Sequence, residues 1–169
     1  MSAFIDTPSP NFDERTLPVT MVVLHYTGMR DAASAIAQLS NAEAKVSAHY
    51  LIAEDGQIVR MVDEAKRAWH AGKSFWRGVT DVNSASVGIE IVNPGHEFGY
   101  RPFPVAQIDA LIPLMQEVTM RYRITRGNVV GHSDIAPARK EDPGELFPWE
   151  RLARLRLALP SPTKNLMDP

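Results

Sequence analysis

Residues 21–26 read Met-Val-Val-Leu-His-Tyr, and residues 87–92 read Val-Gly-Ile-Glu-Ile-Val. Side chains alternate across a strand, so apolar residues at successive positions mean that both faces are covered. Strands of that kind lie inside a sheet with other elements packed over it. Thr27-Gly28 closes the first run and Asn93-Pro94-Gly95 stops the second. Between and around them, Asp31 suits the N-cap of a helix over 32–39. Residues 48–52 and 57–62 read as a hairpin about Asp55-Gly56. Ile108, Leu111, Ile112, Met115, Val118 and Tyr122 share helical spacing over 105–122, where Pro113 is expected to kink or restart the helix. A short strand over 128–131 and a last helix opened by Pro148, with Leu152, Leu155 and Leu159 inward, complete the pattern. Strands and helices alternate, with one hairpin. The expected fold is α/β, a single domain with a central mixed β-sheet flanked by α-helices. Residues 1–18 read as a polar N-terminal surface arm, 19–159 as the domain and 160–169 as a disordered tail.

With 169 residues the chain can bury one sizeable core but not two. A formal net charge of −2 without a basic block argues against a nucleic-acid or polybasic membrane binder. There is no cysteine, so a metal would be held by histidine and carboxylate. No stretch has transmembrane length, and the N-terminus shows neither an export signal nor a lipobox. A cytoplasmic monomer without a membrane anchor is expected, with the periplasm as the alternative if a signal or lipoprotein segment has been removed.

The stretch 130–144, Val-Gly-His-Ser-Asp-Ile-Ala-Pro-Ala-Arg-Lys-Glu-Asp-Pro-Gly, concentrates an imidazole, an ammonium and carboxylates where prolines and glycines disfavour regular structure. His132 and Asp142 there, with His25 at the end of the first apolar strand, are three of the four ligands zinc prefers, and the fourth position is left to water. Taken alone, His25 reads first as a satisfied core histidine, and His132 is no stronger by itself. They stand 107 positions apart, so only the fold can bring them together. Lys140 and Asp142, two apart, face the same way in extended backbone; an exposed salt-bridged pair is the alternative. Glu90 is the sharpest anomaly, a carboxylate at the centre of an apolar strand. A partly dry pocket raises such a carboxyl towards neutrality, which suits a general base.

Trp69-His70-Ala71-Gly72 and Phe75-Trp76-Arg77-Gly78 read either as a groove lined with aromatics or as plugs of core gaps. His49 is a lesser candidate, Asp134 a brace for the loop or for a metal-bound imidazole, and His96 ordinary surface.

Five ordered blocks carry a resemblance. They are Val23-Leu24-His25-Tyr26-Thr27, Val46-Ser47-Ala48-His49-Tyr50-Leu51-Ile52, Arg67-Ala68-Trp69-His70-Ala71-Gly72, Ser86-Val87-Gly88-Ile89-Glu90-Ile91, and Gly131-His132-Ser133-Asp134-Ile135-Ala136-Pro137 through Asp142-Pro143-Gly144. Together they resemble the zinc N-acetylmuramoyl-L-alanine amidases of the AmpD/AmiD type, from about Ser9 to Leu152. The resemblance implies a mixed sheet flanked by helices, shared with peptidoglycan recognition proteins. It implies one Zn2+ per chain on His25, His132 and Asp142, Glu90 as general base and Lys140 as stabiliser of the tetrahedral intermediate. Ala48 stands where phage-type relatives have a tyrosine near the metal, which leaves Glu90 as the main candidate base. The partners implied are peptidoglycan fragments, the anhydro-muropeptides, cut between muramic acid and L-alanine in cell-wall recycling. Tyr26, Thr27, His49, Trp69, His70, Trp76 and Arg139 are the expected substrate contacts. Three rivals stand beside it: a binding module that holds muropeptide without cutting it, expected to lack one or more of the metal ligands; a zinc peptidase using the same residues to cut within the stem peptide; and a structural metal site, disfavoured by the carboxylate ligand and the nearby Glu90 and Lys140.

Overall fold

Six strands form the central sheet in this computed structural model, which describes residues 4–160. They are β1 (Ile5–Asp6), β3 (Met21–Tyr26), β4 (Tyr50–Ile52), β5 (Ile58–Arg60), β7 (Ser86–Ile91) and β8 (Val129–Gly131), in the order β1-β5-β4-β7-β3-β8. β3 runs parallel to β7 and β8, β4 parallel to β7, and only the β4–β5 hairpin is antiparallel. The two continuous apolar runs are therefore adjacent inner strands, as double-sided burial requires. β2 (Phe12–Glu14) and β6 (Lys66–Ala68) make a separate antiparallel pair.

One face of the sheet is apolar across its inner strands. Val22, Leu24, Ile52, Val87, Ile89 and Ile91 meet Ile108, Leu111, Met115 and Val118 of helix α4 (Val105–Arg121), with Leu152 of α6 (Trp149–Arg154) beside them. Each such side chain withdrawn from water contributes roughly 1.5–3 kcal/mol. The opposite face is covered by two smaller clusters. Met21, Val23 and Val130 pack with Ala71, Val82 of the one-turn helix α2 (Val82–Ala85), and Ile135 of α5 (His132–Ile135). Leu51 and Val59 pack under α1 (Ala32–Leu39), which Asp31 caps by accepting from the Ser34 N–H. Between the two clusters lie His25, Gly88 and Glu90. A one-turn helix, α3 (Gly95–Phe98), follows β7.

Four sequence expectations change. Residues 4–18, the described part of the expected N-terminal arm, lie mostly at the surface but carry two short strands and two buried side chains. β1 extends the sheet alongside β5, Ser9 and Asn11 are buried, and Asn11 Nδ2 donates to the carbonyls of Asn41 and Val46 at 2.9 Å each. Arg15 reaches further in, and its guanidinium donates to the carbonyls of Glu64, Ser84 and Ser86 at 2.8, 2.6 and 2.9 Å. These polar side chains lie inside because backbone carbonyls there need donors. Secondly, Pro113 does not interrupt α4. It is exposed, as is Asp109, so the carbonyl that loses its partner faces solvent. Thirdly, one turn of helix, α5, begins directly after β8 inside the loop expected to be irregular. Finally, the last helix ends at Arg154, and Leu155 and Leu159 are exposed. The expected tail, 160–169, lies outside the described residues from 161 onward. No helix among the described residues is long and apolar enough to cross a membrane.

Candidate metal centre and its cavity

Register brings the chemistry together. His25 is the cross-strand partner of Glu90, so both side chains leave the same face at the same level. Leu24 pairs with Gly131, and the residue that follows each is a histidine, His25 in β3 and His132 at the start of α5. Asp142 returns on the loop that follows, where its backbone carbonyl accepts from the Ser133 N–H at 2.9 Å. All three of His25, His132 and Asp142 are buried.

His25 Nδ1 stands 3.0 Å from His132 Nδ1 and 3.0 Å from Asp142 Oδ2, and the third side of the triangle is 3.2 Å. A tetrahedral ion with bonds of about 2.0–2.1 Å sets its ligand atoms about 3.3 Å apart, close to these spacings. The donor set is therefore one that can hold a metal ion. Burial pushes the His25 imidazole down to about 4, which favours its neutral form.

These groups open on a cavity of about 520 Å³ whose walls include Tyr26, Thr27, Trp69, Glu90, Arg139 and Lys140. Glu90 Oε2 is sealed from solvent and has no hydrogen-bond partner. Burial pushes this carboxyl well above its ordinary value, the Asp142 charge adds to the rise, and Lys140 opposes it.

Two residues expected at the substrate are elsewhere. His49 is fully buried: its Nδ1 accepts from the Gly88 N–H at 2.9 Å, so the proton lies on Nε2, which donates to Lys66 O at 3.0 Å. Trp76 packs against the Met21 and Val23 cluster and donates from Nε1 to Asn128 Oδ1 at 3.3 Å, away from the cavity. Both residue types suit a sugar groove, but here core gaps and backbone acceptors claim them. His70 forms cavity wall, but its ring nitrogens face His25 and Ser86 at 2.9 and 3.1 Å. Arg139 lines the cavity while donating to the carbonyls of Ala71 and Lys73 at 2.8 Å each. Asp134 braces the loop by accepting from the Gly131 N–H at 2.7 Å and does not touch His132. His96 is more than ordinary surface: it stacks on Tyr100, and its ring nitrogens stand 3.0 Å from the Tyr26 hydroxyl and 2.9 Å from Glu145. Sequence reasoning passed over Asn83, Ser86 and Gly88. Of these, Gly88 carried a signal, since a glycine on the face of Glu90 in an apolar strand marks a close approach.

Known proteins resemble this chain in sequence and in fold. The family model described as N-acetylmuramoyl-L-alanine amidase matches residues 15–145. The chain is 44% identical over 148 residues to N-acetylmuramoyl-L-alanine amidase AmiD of Escherichia coli (strain K12), covering 80% of this chain and 52% of that relative. It is 33% identical over 163 residues to 1,6-anhydro-N-acetylmuramyl-L-alanine amidase AmpD of Haemophilus influenzae, covering 85% and 86%. A solved complex of AmiD from E. coli with the substrate anhydro-N-acetylmuramic acid-L-Ala-D-gamma-Glu-L-Lys superposes with a TM-score of 0.74 at 42% identity, over 84% of this chain and 60% of that one. The chain thus spans little more than half the length of the AmiD relative. Matched across most of its own length in sequence and in fold, this chain belongs to the N-acetylmuramoyl-L-alanine amidase family.

Proposed function

We propose that this chain is a zinc amidase that hydrolyses the bond between N-acetylmuramic acid, in its 1,6-anhydro form, and the L-alanine of peptidoglycan fragments, in cell-wall recycling. The observation that carries the reading is a triangle of two imidazole nitrogens and a carboxylate oxygen, opening on the same cavity as the unpartnered Oε2 of Glu90. The bound molecule of the AmiD complex supports the substrate class. His25, His132 and Asp142 would hold one zinc ion per chain, a donor set that leaves the fourth position open. When bound, zinc supplies Lewis-acid polarisation of a carbonyl and acidifies water.

The remaining work falls to the chain's own groups. Glu90 takes the proton of the attacking water as its oxygen joins the lactyl carbonyl carbon. As the carbon–nitrogen bond breaks, Glu90 returns that proton to the alanine nitrogen, so the products are a lactyl carboxylate and a peptide amine. Lys140 stabilises the negative charge that gathers on the carbonyl oxygen during attack. Tyr26, Thr27 and Trp69, on the cavity wall, hold sugar and stem peptide in line with Glu90.

The test is cleavage of a defined anhydro-muropeptide by zinc-loaded, chelated and Glu90→Gln protein, read by mass spectrometry. Anhydro-muramic acid and an intact L-Ala-headed peptide are expected from loaded protein only. Glu90→Gln should be slower by about 10²–10⁴-fold with metal still bound. Full activity after complete demetallation, or fragments cut inside the stem peptide, would refute the reading.

A further inference from the structure

Two histidines can face one ion only if each turns a bare nitrogen towards it, and a neutral imidazole has one bare nitrogen and one N–H. Which nitrogen is bare is decided behind the ring. For both His25 and His132, what stands behind is one short segment, residues 69–72. His132 Nε2 donates to Ala71 O at 2.9 Å, so Nδ1 is bare and faces the triangle. Behind His25 stands the His70 ring, with its Nδ1 2.9 Å from His25 Nε2.

Ser86 fixes the direction of that contact. Its hydroxyl hydrogen goes to Val82 O at 2.6 Å, so Ser86 Oγ accepts from His70 Nε2–H at 3.1 Å. In the neutral form that burial favours, His70 then has its Nδ1 bare to accept from His25 Nε2–H at 2.9 Å. Protons along Val82, Ser86, His70 and His25 all point one way, and the last bare nitrogen is His25 Nδ1.

We propose that residues 69–72 form a positioning loop that sets the tautomer and ring orientation of both metal-facing histidines, with the His70 ring acting on His25 and the Ala71 carbonyl on His132. Three features keep the loop in place. Asn83 Oδ1 accepts from the backbone N–H groups of both His70 and Ala71, at 3.0 and 2.8 Å. Gly88 leaves room for the ring, since a Cβ there would lie 2.4 Å from His70 Cγ. Arg139 donates to Ala71 O and Lys73 O, tying the loop to the segment that carries Asp142. Partners behind metal-bound imidazoles typically change metal affinity by about 10–100-fold when removed.

The proposal rests on His25, His132 and Asp142 being the metal ligands, and its test separates the two ideas. Nitrogen-15 NMR of histidine-labelled, metal-free protein reads the His25 tautomer directly; zinc affinity comes from competition with a chelator. Wild type should show His25 protonated on Nε2. His70→Leu should give a mixture of tautomers and bind zinc about 10–100-fold more weakly. His70→Asn places Oδ1 on the same Cγ where Nδ1 stood, so it should keep the His25 tautomer and lose much less affinity. Ser86→Ala perturbs packing far less and should shift the tautomer in the same direction as His70→Leu, which keeps the idea testable if that variant does not fold. An unchanged His25 tautomer in both His70→Leu and Ser86→Ala, or equal losses in His70→Leu and His70→Asn, would overturn the proposal. Failure of wild type to take up zinc would refute the ligand reading, and the metal-free NMR would still decide the role of the loop.

Discussion

Replacing Gly88 by alanine tests how tightly the His70 ring is held against the sheet. The added Cβ would stand 2.4 Å from Cγ, 2.5 Å from Cδ2 and 2.7 Å from Nδ1 of that ring, against a comfortable carbon–carbon separation of about 3.5–4.0 Å. β7 cannot retreat, because it is paired on both sides by β3 and β4. The ring must move by more than 1 Å or so, and its contacts with His25 and Ser86, at 2.9 and 3.1 Å, cannot survive that. Overpacking costs about 1–3 kcal/mol and two lost hydrogen bonds about 1 kcal/mol each, roughly 3–5 kcal/mol together. At roughly 2–4 °C per kcal/mol for a domain of this size, Tm of the metal-free protein should fall by about 6–20 °C. Urea unfolding of wild type, Gly88→Ala, His70→Ala and the double variant completes the assay. With the ring gone the methyl fits, so Gly88→Ala should cost less than about 1 kcal/mol in the His70→Ala background, a coupling of about 2 kcal/mol or more. A single variant melting within about 2 °C of wild type, or a cycle additive to about 0.5 kcal/mol, would refute the close approach.

Saturating zinc should raise Tm of wild type, by the equivalent of about 4 kcal/mol at a free concentration one thousand times Kd, and leave a His25→Ala/Asp142→Ala variant unmoved; equal shifts in both would locate binding elsewhere. Glu64 gives a pH prediction. Burial pushes its carboxyl up, but hydrogen bonds from Tyr50 and Arg121 lead the opposing effects and leave it lowered. A lowered folded value means stability that is present above the ordinary glutamate range and lost as pH falls through the folded value. In urea titrations wild type should therefore exceed Glu64→Gln by about 1–2 kcal/mol at pH 7, with the gap closing as pH falls below the ordinary glutamate range; a gap independent of pH would refute the assignment.

The strands β3 and β7 were legible because burial on both faces leaves an unmistakable run of apolar residues. The β4–β5 hairpin and α1 were legible from Asp55-Gly56 and from Asp31, residues whose local chemistry does not depend on the rest of the chain. β1, β2 and β6 were not, since strands such as Lys66–Ala68 are short, charged and held only by their partners. At the site, the sequence could nominate His25, His132 and Asp142 by residue type and position, but their meeting depends on the register of β3 with β8. Assigning histidines and tryptophans to a groove was least secure. His49 and Trp76 find backbone and side-chain acceptors inside the domain, and residue type alone does not reveal those acceptors.

The inward hydrogen bonds of buried Asn11 and half-buried Arg15 bear on how the protein can be handled. A version trimmed to begin at residue 19 would strip donors from the carbonyls of Asn41, Val46, Glu64, Ser84 and Ser86 at once. Loss of activity in such a truncated form would then report a loosened scaffold beneath β7 and should not be read as removal of a substrate-binding segment. Affinity tags and fusions are better joined through a spacer ahead of Ile5, so that the edge strand can still dock.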